Sequence, residues 1–107
     1  MHTVSLDDFE RGWIIGNFDP SLFKTDQFEV AIKRYKGGES EAPHVHKQAT
    51  EMTVIVSGQV MMNGSLLTEG MVAKLMPGEP MTEFYVIHDL TTVCVKIPCA
   101  KDDKYAV

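Results

Sequence analysis

His44, His46 and Glu51 fall close together in a stretch that reads Gly38-Glu-Ser-Glu-Ala-Pro-His44-Val-His46-Lys-Gln-Ala-Thr-Glu51-Met-Thr-Val-Ile-Val-Ser-Gly58. Two imidazoles and a carboxylate make a donor set that first-row divalent metals accept. The chemistry on offer is Lewis-acid or redox work at an ion such as Fe, Mn, Ni or Zn. The bland alternative is a pair of strand histidines that pack in a core or lie on a surface.

The spacing says what must hold these side chains. Side chains on a strand alternate faces, so His44 and His46 point one way and Val45 the other. Their Cα atoms lie about 6.5 Å apart, a span over which two rings converge on one ion. Glu51 is an odd number of residues beyond His46 and would face away on an unbroken strand. A turn in Lys47-Gln-Ala-Thr50 must reset the register, after which Thr53 and Ile55 share the face of Glu51. Pro43 stiffens the entry to the histidines, and Gly38 and Gly58 mark turns on either side.

The elements around this stretch read as strands. Gln27 to Tyr35 alternates, with Phe28, Val30 and Ile32 on one face and Glu29, Ala31 and Lys33 on the other. Thr50 to Val56 is rich in β-branched residues, and Gln59 to Met62 follows across Ser57-Gly58 as in a hairpin. Asn63-Gly64 is a two-residue turn signal. Met71 to Met76 is a further strand ended by Pro77-Gly78, and Glu83 to Ile87 is expected to pair with Thr91 to Ile97 across His88-Asp89-Leu90. Ser5 can cap one short helical turn. Strands at intervals of ~8–12 residues indicate an all-β sandwich or barrel.

The chain has 107 residues, 44% hydrophobic and 23% charged, which suits one domain with one core. A net charge of −5, with basic residues scattered, argues against nucleic acid, because a phosphate-binding face needs clustered Lys and Arg. No apolar run reaches the ~18 residues of a membrane span, and the first residues lack a signal-peptide pattern. A cytoplasmic location is the expectation. Cys94 and Cys99 are not in C-x-x-C spacing and read as reduced, structural thiols.

The skeleton G-x5-H-x-H-x4-E-x6-G over residues 38–58 resembles the first signature motif of the cupin superfamily, and every position matches. The resemblance implies an all-β, double-stranded β-helix (cupin or jelly-roll) barrel over residues 1–107, with a metal held by His44, His46 and Glu51. The family's second motif, G-x5-P-x-G-x2-H-x3-N, is degenerate over residues 70–85. Gly70 and Gly78 fit, but Met76 replaces the proline, Met81 the histidine and Tyr85 the asparagine. The fourth ligand that the resemblance implies is therefore missing. Either the trio acts alone with open positions, or Glu83 or Met81 completes it, or the pocket recognises a ligand with weak or no metal.

These readings lead to three function classes. The first is a metal-dependent enzyme acting on a small polar organic substrate, of isomerase, dioxygenase or lyase type. Tyr35, Gln48, Glu83 and Tyr85 are its candidate acid–base groups, and Arg34 and Thr53 its candidate substrate contacts. The second is a non-catalytic module that binds a small molecule. The third is a structural barrel filled by its own side chains. Trp13, Ile14 and Ile15, beside open β edges, make a homodimer an expectation in each case.

Overall fold

The computed structural model describes residues 1–107. Its main sheet is built from β1 (Trp13–Gly16), β2 (Phe23–Lys24), β3 (Glu29–Tyr35), β5 (Thr50–Met62), β6 (Ser65–Thr68), β7 (Val72–Leu75) and β8 (Phe84–Ile97). The strand order is β2-β1-β3-β8-β5-β6, with β7 also paired to β5. A separate two-stranded ladder joins β4 (His44–Val45) to β9 (Tyr105–Ala106). The only helical pieces are two 3-10 turns at Leu6–Asp8 and Glu10–Gly12, the first capped by Ser5 as its sequence suggests. The architecture is all-β, as the strand spacing indicates, and is the double-stranded β-helix that the motif resemblance implies.

Two of the expected hairpins are instead long bent strands. Ser57-Gly58 does not reverse the chain, because β5 runs through it from Thr50 to Met62. His88-Asp89-Leu90 lies likewise inside β8. The two strands pair along almost their whole lengths, and their register slips between Ile55 and Val60, opposite that segment of β8. A slip of this kind bends both strands and wraps the sheet around an interior. Gly58 makes the bend possible, with φ +93° and a missing Cβ that would sit 2.2 Å from the Asp89 carbonyl oxygen. The Asn63-Gly64 turn, by contrast, forms as the dipeptide indicates, with φ of 49° and 79° closing the β5–β6 hairpin.

The inner faces of β5 and β8 change character along their length. From Ile55 to Met62 and from Phe84 to Leu90 they carry the apolar core of Ile55, Val60, Met62, Phe84, Val86 and Leu90, joined by Leu67, Leu75 and Met81. Towards the other ends of both strands the inner residues are polar: Glu51 and Thr53 on β5, Thr92 and Cys94 on β8. In β3 the buried phase is that of Ala31, with Val30 and Ile32 on the opposite, outer face. The branched apolar residues Val30 and Ile32 thus cover the sheet's exterior, while Ala31 and the polar Lys33 and Tyr35 face the interior.

Gly58→Ala is expected to lower stability by about 2–4 kcal/mol, since both the positive φ and the backbone clash oppose a side chain. Gly64→Ala shares the positive φ but meets nothing within 4 Å, so its cost should be nearer ~1 kcal/mol. Urea unfolding of the two variants checks this, and equal midpoints would contradict the role given to the bend.

Candidate metal centre

The structure brings His44, His46 and Glu51 together, all buried, with one ligand atom from each within 4.8 Å of the others. The imidazole rings stand 5.1 Å apart at 77°. The register reset expected between His46 and Glu51 is present: the chain leaves β4, turns through residues 47–49, and re-enters as β5.

Main-chain contacts on both sides seat the histidine strand. On one side β9 pairs His44 with Ala106 and Val45 with Tyr105. On the other, His44 and Met81 exchange backbone hydrogen bonds of 3.0 and 2.8 Å, and the Gly78 N–H donates to the His46 carbonyl at 2.7 Å. The segment from Gly78 to Met81 thus clamps the histidine strand through its backbone. Met81 itself is buried and lines a small chamber with Glu51.

Each imidazole uses one nitrogen for support. His44 Nδ1 lies 3.0 Å from the Ala42 carbonyl oxygen, and His46 Nδ1 contacts the Asp103 carbonyl oxygen. A carbonyl only accepts, so both Nδ1 atoms carry the proton, and in a neutral ring Nε2 is the bare nitrogen. His46 Nε2 lies 2.9 Å from Glu51 Oε2. Yet it is fully buried and lacks a hydrogen-bond partner of acceptable geometry. Two electron-rich atoms at that distance, off any shared N–H line, fit a cation placed beside both of them. Nitrogen and carboxylate donors with this support suit a divalent first-row ion.

Charge around the cluster keeps Glu51 ionised. Burial pushes its carboxyl up, the Lys96 and Lys33 ammonium groups pull it down, and the group lies below the usual carboxylate range. Lys96 lies opposite both Glu29 and Glu51 in the β3-β8-β5 ladder, 3.5 Å from Glu29 Oε1. The Lys33 and Lys96 ammonium groups stand 5.0 and 4.8 Å from the centre of the Trp13 ring. Burial also lowers His44, favouring the neutral ring that can ligate. Burial, with Glu41 adding, pushes the Tyr35 hydroxyl far above the tyrosine range, so it stays protonated. Burial drives the Cys94 thiol up to about 12, which removes it as a nucleophile.

The other residues singled out from sequence divide clearly. Thr53 and Tyr35 line the inner chamber with Glu51, together with Lys33, Glu41, Met81, Thr92 and Cys94. Glu83 is turned away, exposed, and accepts from the Gly64 N–H at the β5–β6 turn. Tyr85 is half exposed on the outer side of β8. The Gln48 and Arg34 side chains are exposed, though Arg34 borders a surface pocket. The structure thus does not bring Glu83, Tyr85 or Gln48 to the cluster: Tyr85 falls on the outward phase of β8, Gln48 in the bend after β4, and Glu83 just before β8, tied to the β5–β6 turn. Sequence reading missed Lys33, Lys96, Glu41 and Asp103. The parity of Thr92, Cys94 and Lys96 could have placed Lys96 inside, but nothing local marks Asp103, which lies far from the histidines in the chain.

No protein-family model matches the sequence, and no curated protein matches it either. Solved structures do resemble it. An uncharacterized conserved protein with a double-stranded β-helix domain from Klebsiella pneumoniae is 20% identical, covered over 91% of this chain and 84% of its own, at a TM-score of 0.67. The DMSP lyase DddQ from Ruegeria pomeroyi is 16% identical over 89% of this chain, at a TM-score of 0.72. The match takes in 49% of that lyase, so the chain spans about half its length. A sugar phosphate isomerase from a cupin superfamily, from Silicibacter pomeroyi, is 20% identical over 66% of this chain and 50% of its own, at a TM-score of 0.58. The class defined by fold and site is a double-stranded β-helix with an inward His-His-Glu cluster. The fold is the cupin fold.

The buried ionisable groups predict a pH dependence in metal-free protein. His44 lies below its ordinary value of 6.5, so the unfolded chain takes up that proton first as pH falls. The stability present above 6.5 is then lost progressively below it. Glu51 lies below its ordinary 4.5, which adds a second loss under more acid conditions. Urea unfolding from about pH 8 to about pH 3 should show both stages, and His44→Asn should lack the first. A midpoint that stays flat to pH 5 in the parent chain would refute the assignment.

Proposed function

We propose that this chain is a metal-dependent enzyme acting on a small polar organic substrate, with His44, His46 and Glu51 as the ligands of a divalent ion. The observation that carries the reading is His46 Nε2, buried, unpartnered and 2.9 Å from Glu51 Oε2. His44, His46 and Glu51 would hold a divalent ion that would supply Lewis-acid chemistry toward a substrate oxygen. The similarity to a lyase and to an isomerase supports chemistry of those kinds, and a dioxygenase remains within the same reading.

The chain's own residues define how a substrate is received. A surface pocket of about 450 Å³ lies under the 3-10 turns, lined by Phe9, Arg11, Trp13, Lys33, Tyr35 and Glu41 among others. Lys33, Tyr35 and Glu41 also line the chamber beside Glu51. That chamber is too small for a whole substrate, so one polar group reaches inward while the rest stays in the outer pocket. The Tyr35 hydroxyl, held neutral, donates a hydrogen bond there and is too weak an acid to give up its proton. Lys33 and Lys96 hold Glu51 as a carboxylate. Arg11 and Arg34 both stand at the wall of the outer pocket, where either can meet an anionic group.

Elemental analysis of protein purified without added metal tests the reading. Near-stoichiometric Fe, Mn, Ni or Zn is expected, lost in His46→Ala. A chelator should lower the parent's melting temperature, reflecting a loss of about 2.7 kcal/mol where metal stands at a hundred times its Kd, and leave His46→Ala unmoved. Metal-free protein indifferent to added ions would sink the enzyme reading. It would favour the alternative, a non-catalytic module for small molecules, which the thioether of Met81 in place of a fourth donor supports.

A homodimer forms the second part of the proposal. Phe23 on the edge strand β2 and Leu22 just before it are 62% and 46% exposed, and unpaired apolar edges attract partner strands. Two free cysteines fit a reducing compartment such as the cytoplasm. No helix is long and apolar enough to cross a membrane. Light scattering at two concentrations is expected to give twice the chain mass, and a monomer at both would refute the dimer.

A further inference from the structure

Asp103 is 5% exposed although the residues on either side of it are open to solvent. A buried carboxylate costs several kcal/mol unless it is hydrogen-bonded, and its partners show what it is for. Its oxygens accept from the Lys47 N–H at 2.8 Å, the Gln48 N–H at 3.0 and 3.1 Å, and the Ala49 N–H at 2.9 Å. Three successive amides converging on one anion make a nest. The amides belong to the turn that carries the chain from His46 to Glu51.

The main chain of the same residue meets the metal cluster directly. The Asp103 carbonyl accepts from His46 Nδ1, which fixes the ring's tautomer and leaves Nε2 for the site. Two residues further on, Tyr105 and Ala106 pair with Val45 and His44, and the Lys47 ammonium lies 4.0 Å from the Tyr105 ring centre. One residue therefore grips the turn with its side chain and the ligand ring with its backbone.

We propose that Asp103 is the positioning residue of the metal centre. By pinning the 47–49 turn it aligns His46 with Glu51, and by holding Nδ1 it aims Nε2, without touching the ion. The neighbouring β9 pairing keeps its carbonyl at the correct depth. This rests on the trio being the metal site. Outer-shell partners of ligating histidines typically govern affinity by about 10–100-fold, and that is the size of effect expected here.

The test uses the full-length chain as parent, Asp103→Ala and Asp103→Asn, with two readouts. The first needs no metal: NMR of ¹⁵N-labelled, metal-free protein should show a slowly exchanging His46 Nδ1 proton in the parent. That proton should be lost or broadened by exchange in Asp103→Ala. The second is titration with Co²⁺ followed by its visible absorption, where Asp103→Ala should bind about 10–100-fold more weakly and show an altered band shape. Asp103→Asn keeps the shape and one acceptor oxygen, so it should fold and fall between the two. It carries the test if the alanine variant does not fold. Variants that unfold more easily in urea, yet keep the Nδ1 proton and the parent's Co²⁺ affinity, would overturn the proposal and leave Asp103 a structural brace. A parent that shows the Asp103-dependent Nδ1 proton but takes up no Co²⁺ would refute the metal reading while sustaining the positioning role.

Discussion

The carboxylate of Asp103 accepts three consecutive backbone N–H groups from the turn between His46 and Glu51, and the arrangement of the site depends on that turn. On a continuous strand Glu51 would point away from the histidines, because side chains alternate and its separation from His46 is odd. A tight turn solves the parity problem but leaves its own amides without ladder partners, and buried amides demand acceptors. The anion meets that demand. Burial works to raise its pKa, but the three amides prevail and hold it below the usual aspartate range, so it stays charged where it is needed.

The cluster also depends on charges placed across the sheet. Glu29, Lys96 and Glu51 sit opposite one another on β3, β8 and β5, and Lys33 lies 3.8 Å from Glu41. Half-buried ions persist when each faces an opposite charge, and separately each would be costly. Lys33 and Lys96 lie against the Trp13 ring as well, so the β1 strand joins the same network. A barrel built only for stability would gain more from apolar side chains at these positions. Paired charge concentrated beside an unpartnered imidazole nitrogen fits the proposed site better than it fits a core.

Strand continuity explains why some readings of the sequence hold and others do not. Asn63-Gly64 closes a turn as read, since both residues adopt positive φ locally. Ser57-Gly58 has similar chemistry but bends a strand instead of reversing it, because β8 runs alongside and supplies hydrogen-bond partners on both sides of the bend. The alternation in β3 is correctly read, yet its buried phase is the one with Ala31, not the one with Val30 and Ile32. Alternation identifies two faces; which one turns inward depends on the space available inside the barrel. For the same reason Glu83 and Tyr85, plausible by proximity in sequence, end on the outside.

The sequence by itself determined the all-β architecture and the trio of His44, His46 and Glu51, because period-two patterning and ligand spacing are local properties of the chain. The resemblance also led to the expectation of a histidine at the position that Met81 occupies. Only the tertiary structure decided which groups surround the trio. Lys96 comes from β8, Lys33 and Tyr35 from β3, and Asp103 from more than fifty residues beyond His46. Their positions relative to the histidines follow from how the strands wrap and pair, and no local pattern encodes a contact between residues so far apart in the chain.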